Sequence, residues 1–492
     1  MITAIHKGKY HNIEYSIVNI AKLEGELRID AEYYEPFYLR NEEKIIKKKW
    51  EKLGKLLKEK PQYGTTPSGG VFETSGIPFI RSQDFKDSFV EINQFCSIEF
   101  HKRNKKSKVV LNDILIAVVG ATIGEIGIYL YEQEANINQN IARLRFDNVN
   151  TFYVFSFMKT KYFLNQLYRF NTGNAQPYLN TFQVISFKIP IPSNNFQKFI
   201  EKLVLRAYEE RKKAEKFYKE AENILLEELD LKKWKSKTKK IKIGEIEFEE
   251  EENISVRMLS EVLKVDRMDA EYWEPKYDEF LIELEKKTTL KPLKEFLNSK
   301  LLKGVEVGSS SYKEEGIPFI RVSNITKFGI IEKDQKYISK DFYLNLKDKF
   351  KPKKGEILLT KDATPGVAYV LKEDIEGIVS SGIVRLKARN IEKEYLALVI
   401  NSIIGQMQIL REGGGSIISH WKPSQIENLL IPLIEDKIQQ KISKLIQQSF
   451  KVRENAKELL EIAKRSIEIY IEQDENEGIN YAKNKKLGVE IC

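Results

Sequence analysis

Several short segments of this chain concentrate side chains that hydrogen-bond in defined directions. The first group holds Tyr63, Thr65, Thr66 and Ser68, then Arg81 and Gln83, then Asn138, Gln139 and Asn140, and then Asn174, Gln176 and Tyr178. A second group comes much later, with Ser310 and Tyr312, Arg321, Ser323 and Asn324, Lys361 and Thr364, and finally His420, Trp421 and Lys422. Within the first group lies a basic run, His101-Lys-Arg-Asn-Lys-Lys-Ser-Lys108, which contributes Lys102, Arg103 and Lys105. Amides, hydroxyls and guanidinium groups supply recognition chemistry, matching donors and acceptors on a partner. Bond-making chemistry needs an activated nucleophile, a tuned acid–base pair or a metal.

Signatures of bond-making are missing. There is no Gly-x-x-x-x-Gly-Lys-Ser/Thr loop to cradle phosphates. The sequence contains no Pro-Pro, so it lacks the Asn/Asp-Pro-Pro-aromatic segment of an adenine methyltransferase. Four histidines (His6, His11, His101, His420) are scattered, and Cys96 and Cys492 give no zinc spacing. Gly413-Gly-Gly-Ser416 is too short a glycine run to specify a site. The expectation is a chain with no catalytic residues, no metal and no cofactor of its own.

The elements that position these groups must come from a chain of 492 residues, 42% hydrophobic and 11% aromatic, long enough for two to four domains. Lys+Arg 81 against Asp+Glu 72 leaves +9, which allows a polyanionic partner without demanding one. Two cysteines build no disulfide framework and favour a reducing compartment. The first residues carry no apolar run, and the longest apolar stretch, residues 395–404, is too short to span a bilayer. A soluble, cytoplasmic protein with no membrane partner is expected.

The chain repeats itself. Arg28-Ile-Asp-Ala-Glu-Tyr-Tyr-Glu-Pro36 returns as Arg267-Met-Asp-Ala-Glu-Tyr-Trp-Glu-Pro275, an offset of 239. Gly76-Ile-Pro-Phe-Ile-Arg81 returns unchanged as Gly316 to Arg321, at 240. Ala121-Thr122-Ile-Gly124 matches Ala363-Thr364-Pro-Gly366, and Ile189-Pro190 matches Ile431-Pro432, both at 242. The offset rises by three and never reverses, as a duplication with small loop insertions requires. β-rich runs at 109–119 and 356–360 among Gly/Ser/Pro/Asn loops, with helices at 151–170 and 394–410, make each copy an α+β module.

Each copy closes on a heptad pattern. Phe196, Ile200, Leu203, Ala207, Glu210, Ala214, Phe217, Ala221 and Ile224 step alternately by four and three. Ile438, Ile442, Leu445, Ser449, Val452, Ala456, Leu459, Ala463 and Ser466 step identically, each 242 residues later. This predicts two long helices pairing antiparallel in an intramolecular coiled coil that holds two modules apart. Between them, Lys232–Lys242 holds seven lysines and residues 245–252 six glutamates. Alternation about a Gly244-Glu245 turn predicts a hairpin pairing Ile243 with Ile246, Ile241 with Phe248, Lys242 with Glu247 and Lys240 with Glu249. The expected architecture is α+β: modules at 13–194 and 255–434, long helices at 195–231 and 435–472, a charged linker at 232–254 and a tail at 473–492.

This organisation resembles the specificity subunit of type I restriction–modification systems. The carrying residues are the two Gly-Ile-Pro-Phe-Ile-Arg segments followed by Asp84 or Asn324, and Asn112-Asp-Ile-Leu115 with Gly355-Glu-Ile-Leu358. Gly173-x-x-Gln176-x-x-Leu179-Asn180 and the Ile-Pro pairs followed by Gln197 and Gln439 complete the set. The second copy departs from it, with Ile418-Ser-His-Trp-Lys422 in place of Gln176-Pro-Tyr-Leu-Asn180. The resemblance covers nearly the whole chain. It implies two target recognition domains, each reading half of an interrupted DNA site. It also implies docking of two copies of a DNA adenine methyltransferase subunit that carries S-adenosylmethionine, with a translocating nuclease as a further partner.

The Arg-x-Asp-Ala-Glu-Tyr element also resembles specificity subunits serving fused methylase–nuclease partners. Two readings outside that family stay open as well, a freestanding DNA-binding regulator and an undetected nuclease. On the resemblance, the hydrogen-bonding groups named at the outset become candidate DNA contacts, with Lys102, Arg103 and Lys105 suited to phosphates. Arg81 and Arg321 end identical motifs although the halves should read different bases, which favours a phosphate contact or an internal salt bridge. Trp421 could stack on a base or lie in the core. Arg28, Asp30 and Glu32, with their counterparts Arg267, Asp269 and Glu271, are expected to serve structure or partner docking.

Overall fold

The computed structural model describes residues 4–7, 14–20, 23, 28–70, 72–86, 88–171, 178–235, 241–243, 246–248, 256–332, 334–413 and 420–485. The chain forms two compact units that do not follow sequence order. One joins Met1–Lys212 to Val452–Cys492, and the other is Lys213–Lys451.

In the first unit, a six-stranded sheet runs Gln62–Tyr63, Ile141–Leu144, Ile114–Ala117, Ile126–Ile128, Phe89–Val90, Phe85–Lys86. A four-stranded sheet beside it runs Phe95–Cys96, Ile77–Ile80, Ala135–Ile137, Lys108–Val109. The second unit keeps the same order in reduced form: Leu302–Lys303, Ile383–Leu386, Ile357–Thr360, Ala368–Val370, and then Lys336–Ile338, Ile317–Ile320, Ile378–Val379. Strands such as Ile114–Ala117 and Ile357–Thr360 are buried at every position, so continuous apolar runs rather than alternation mark them.

Register corrects the reading of the repeat in one place. Ile114 pairs with Ile128, and Ile357 with Val370. The first strand is therefore displaced by 243 and the second by 242, so the offset does reverse, by one residue. The turn between these strands is one residue shorter in the second copy, where Ala363 takes the positive φ (58°) that Gly120 (78°) takes in the first. The expected single helices are also split. Thr151–Phe157 is followed by Lys161–Asn171, and Lys393–Asn401 by Ile403–Gly413. A hydroxyl makes each break: Thr160 Oγ1 donates to the Phe157 carbonyl and Ser402 Oγ to that of Val399.

The long helices are Asn194–Glu228 and Asp436–Glu472. Inside the first unit the start of one packs on the end of the other: Phe196 faces Tyr470 at 5.3 Å, and Ile200, Leu203 and Ala207 share a core with Leu459, Ala463 and Ile467. Inside the second unit the pairing is reversed. Tyr218, Ala221 and Leu225 share a core with Ile442 and Ile446, and Ser449 Oγ donates to the Ala214 carbonyl at 2.7 Å. The helices therefore run antiparallel.

Gln197 and Gln439 fasten the helix starts. Gln197 donates to the Pro192 carbonyl and accepts from the Asn150 N–H, and Gln439 does the same with Ile434 and Glu392. The segment expected as a tail holds a helix within its described residues, 473–485. Helix Glu475–Lys483 packs back on the first unit, with Ala482 fully buried and Ser193 bonded to Glu475. In the linker, Ile241–Ile243 pairs antiparallel with Ile246–Phe248, Ile241 opposite Phe248 and Lys242 opposite Glu247. The expected Gly244-Glu245 turn and the Lys240–Glu249 pair lie outside the described residues. No described helix is long and apolar enough to cross a membrane.

Candidate nucleic-acid interface

Backbone hydrogen bonds gather the first group of candidates at one end of the four-stranded sheet. The Asn138 N–H donates to the Ile80 carbonyl (3.1 Å) and the Thr65 N–H to that of Ile137 (3.1 Å). Val118 N–H donates to the Asn140 carbonyl, and Leu179 N–H to that of Val118, both at 2.9 Å. Segments 63–66, 80–83, 138–140 and 178–179 thus converge. Gly64 permits this: a Cβ there would lie 1.9 Å from the Ile137 carbonyl oxygen. Thr181 donates to the Tyr63 hydroxyl at 3.1 Å, and the Thr66 hydroxyl bonds the Gln139 amide. Thr65, Thr66, Gln83, Gln139 and Tyr178 are exposed, whereas Tyr63, Asn138 and Asn140 are half-buried.

The second unit repeats the frame. Ser380 N–H donates to the Ile320 carbonyl (2.8 Å), Val305 N–H to Val379 (3.0 Å), Lys361 N–H to Gly382 (2.8 Å) and Trp421 N–H to Lys361 (2.8 Å). Gly304 plays the part of Gly64, its missing Cβ 2.1 Å from the Ser380 carbonyl oxygen. Here Thr364, His420 and Lys422 are exposed and Lys361 is half-buried. Lys361 Nζ donates to Asp362 Oδ2 at 2.7 Å and His420 Nδ1 meets Asp362 Oδ1 at 3.0 Å. Burial alone would raise the Asp362 carboxyl, but these two partners hold it below the usual carboxylate range.

Four candidates make internal contacts, which for Arg81 and Trp421 is one of the two readings the sequence left open. Asn324 is fully buried: its Oδ1 accepts from the Arg321 N–H and its Nδ2 donates to the Ile331 carbonyl, so it closes a turn. Trp421 is 4% exposed and belongs to the core of the second unit. Arg81 pairs with buried Asp84 at 3.3 Å, and Arg321 Nη2 donates to the Asp334 carbonyl, so both guanidinium groups have internal work. Turning the Gln83 amide lets its oxygen accept from Arg81 at 3.0 Å.

Ser323 is exposed beside Arg321. Ser310 and Tyr312 lie in and after a turn tied to another edge, through the Lys313 N–H and the Tyr337 carbonyl. Ser68 sits in the turn Ser68–Gly70. Asn174 and Gln176 lie outside the described residues.

The basic run divides by depth. His101 Nδ1 meets Asn136 Oδ1 at 2.6 Å, and Asn136 Nδ2 donates to Ser107 Oγ at 2.8 Å, which anchors the inner side. Lys102, Arg103 and Lys105 stay exposed on the outer side, Arg103 with Glu99 at 2.5 Å. The Lys105–Ser107 turn lies beside the Gln62–Tyr63 strand, so these cations flank the loop cluster. No cluster of metal-ligating side chains occurs among the described residues.

Sequence reasoning missed Gly64, Gly304 and Asp362. The glycines stand 240 apart, in step with the repeat, and that was the available signal. Asp362 had none, because its value lies in contacts across 58 residues.

A duplicated α+β recognition module, its loops gathered at a sheet end and each copy joined to a long helix, is the class that fold and site define. The family model for the type I restriction modification DNA specificity domain matches residues 47–216 and again 285–464, and the chain belongs to that family. It is similar to the type I restriction enzyme EcoBI specificity subunit of Escherichia coli, 39% identical over 84 residues. That match spans 17% of this chain and 17% of the relative. Among solved structures it is similar to the type I restriction–modification S subunit from M. genitalium, at 12% identity and TM-score 0.36, covering 86% of this chain and 95% of that one. It is also similar to the HsdS subunit from Thermoanaerobacter tengcongensis, at 14% identity and TM-score 0.28, covering 87% and 97%.

Proposed function

We propose that this chain is the DNA-reading specificity subunit of a type I restriction–modification system. It recognises a bipartite asymmetric sequence, one half per unit, and directs partner enzymes there without chemistry of its own. One observation supports the reading above the others. Both units hold the same backbone frame, with a glycine at Gly64 and Gly304, yet present different side chains on it. A shared frame with divergent contacts suits two half-sites of different sequence, because each base pair shows a distinct donor/acceptor pattern in the major groove. Exposed Lys102 and Lys105 would meet phosphates, which position without specifying.

Two copies of a DNA adenine methyltransferase subunit would act on the bound site and would hold S-adenosylmethionine. A translocating nuclease, or a methylase fused to its nuclease, would complete the system in the cytoplasm. Methylation of a random DNA library by the chain, its genomically adjacent methylase and both together tests this. One two-part motif should be modified, only by the mixture. Methylation by the chain alone, or a motif unaltered when the chain is left out, would refute the proposal.

A further inference from the structure

Resting on that reading, we propose that His420 selects a base with an exocyclic amine, adenine or cytosine, at one position of the half-site read by the second unit. Its ring is held at one edge and open at the other. Nδ1 lies 3.0 Å from Asp362 Oδ1, the His420 side chain is 69% exposed, and Nε2 has no protein partner among the described residues. A carboxylate only accepts hydrogen bonds, so Nδ1 must carry the proton. Lys361, donating to the other carboxylate oxygen at 2.7 Å, keeps Asp362 in place. With Nδ1 carrying the proton, the neutral form of the ring has Nε2 as its acceptor, on the side left without a partner.

In the major groove the complementary donors are adenine N6 and cytosine N4; guanine and thymine offer acceptors at those edges. The mount is rigid. His420 and Asp362 form an antiparallel bridge, and the next residue, Trp421, is buried with its N–H on the Lys361 carbonyl. The first unit has the same bridge between Val119 and Tyr178. Tyr178 is 49% exposed, so one frame position presents an imidazole in one unit and a phenol in the other.

The test uses the full chain with its methylase and a DNA pool randomised across both half-sites, at about pH 8. The wild type should prefer adenine or cytosine by roughly tenfold at one position of one half-site, as a specific base contact of about 1.4 kcal/mol would give. His420→Phe should bring that preference close to one and leave the other half-site unchanged. His420→Gln, which keeps an acceptor, should retain part of it. Which of the two bases is enriched identifies the amine.

The inference is overturned if His420→Phe leaves every positional preference intact, or lowers methylation of all sequences equally, as loss of a phosphate contact would. Should His420→Phe not fold, Asp362→Asn carries the test. Releasing the fixed tautomer must weaken the same preference, and an unchanged profile overturns the idea. A wild-type mixture that methylates no two-part motif would instead defeat the functional reading.

Discussion

Arg28 grips Asp30 with two hydrogen bonds, at 2.8 and 2.5 Å, donates a third to the Phe170 carbonyl at 3.2 Å and covers the Tyr33 ring at 4.5 Å. Arg267 does the same with Asp269, the Glu412 carbonyl and Tyr272. The Arg-x-Asp-Ala-Glu-Tyr element is thus a clasp fastening the start of each copy to the end of a helix far along the chain. The hydrogen bonds from Arg28 hold the Asp30 carboxyl below its usual range. A carboxyl lowered in the folded state adds stability above its unfolded pKa, and that stability is lost as pH falls through the folded value. Asp30→Asn should therefore lower the urea midpoint of the first unit near neutral pH. The gap between variant and wild type should close as pH falls below about 3.9. A gap that stays constant down to the acid transition would mean that the clasp does not act through charge.

Among the elements, the sheet end depends on the two glycines. Gly64→Ala would place Cβ 1.9 Å from the Ile137 carbonyl oxygen, and Gly304→Ala 2.1 Å from that of Ser380. Backbone cannot yield as a flexible side chain can, so each substitution should cost about 1–3 kcal/mol, in the range of overpacked cores. Gly64→Ala should also blur base preference in one half-site alone and Gly304→Ala in the other, read from the methylated motif. Equal blurring of both half-sites by either variant would contradict the separate frames. The periodic elements were legible because side-chain period sorts residues by face: alternation at Ile241 and Ile243 gave the hairpin register, and heptad spacing of Ile200, Leu203 and Ala207, all buried, gave the helix seam. Beyond Ala214 the buried stripe moves from the expected Phe217 and Ile224 to Tyr218 and Leu225, which fits the drift of a 3.6-residue helix against a 3.5-residue repeat. Site residues were less legible. Asn324 and Trp421 have the types of contact residues, yet only tertiary packing decides that both face inward.

For the molecule as a whole, sequence order suggests a first half and a second half, each with its own helix, but the compact units are interleaved. The last segment of the chain, Val452–Cys492, belongs with the first module. Leu459, Ile462, Ile467 and Tyr470 are at most 6% exposed and share a core with Phe196 and Ile200. Burying a large apolar side chain contributes roughly 1.5–3 kcal/mol, so the four together rival the roughly 5–15 kcal/mol net stability of a whole domain. A chain ended at Lys451 should therefore unfold its beginning, not its end. Hydrogen exchange should lose protection across Ile114–Ala117 and Thr151–Phe157, whereas Ile357–Thr360 and Lys393–Asn401 keep theirs. A peptide of residues 452–485 added back should restore the first set. If the shortened chain protects Ile114–Ala117 as well as the intact one does, the first module is self-sufficient and the distant helix does not complete its core.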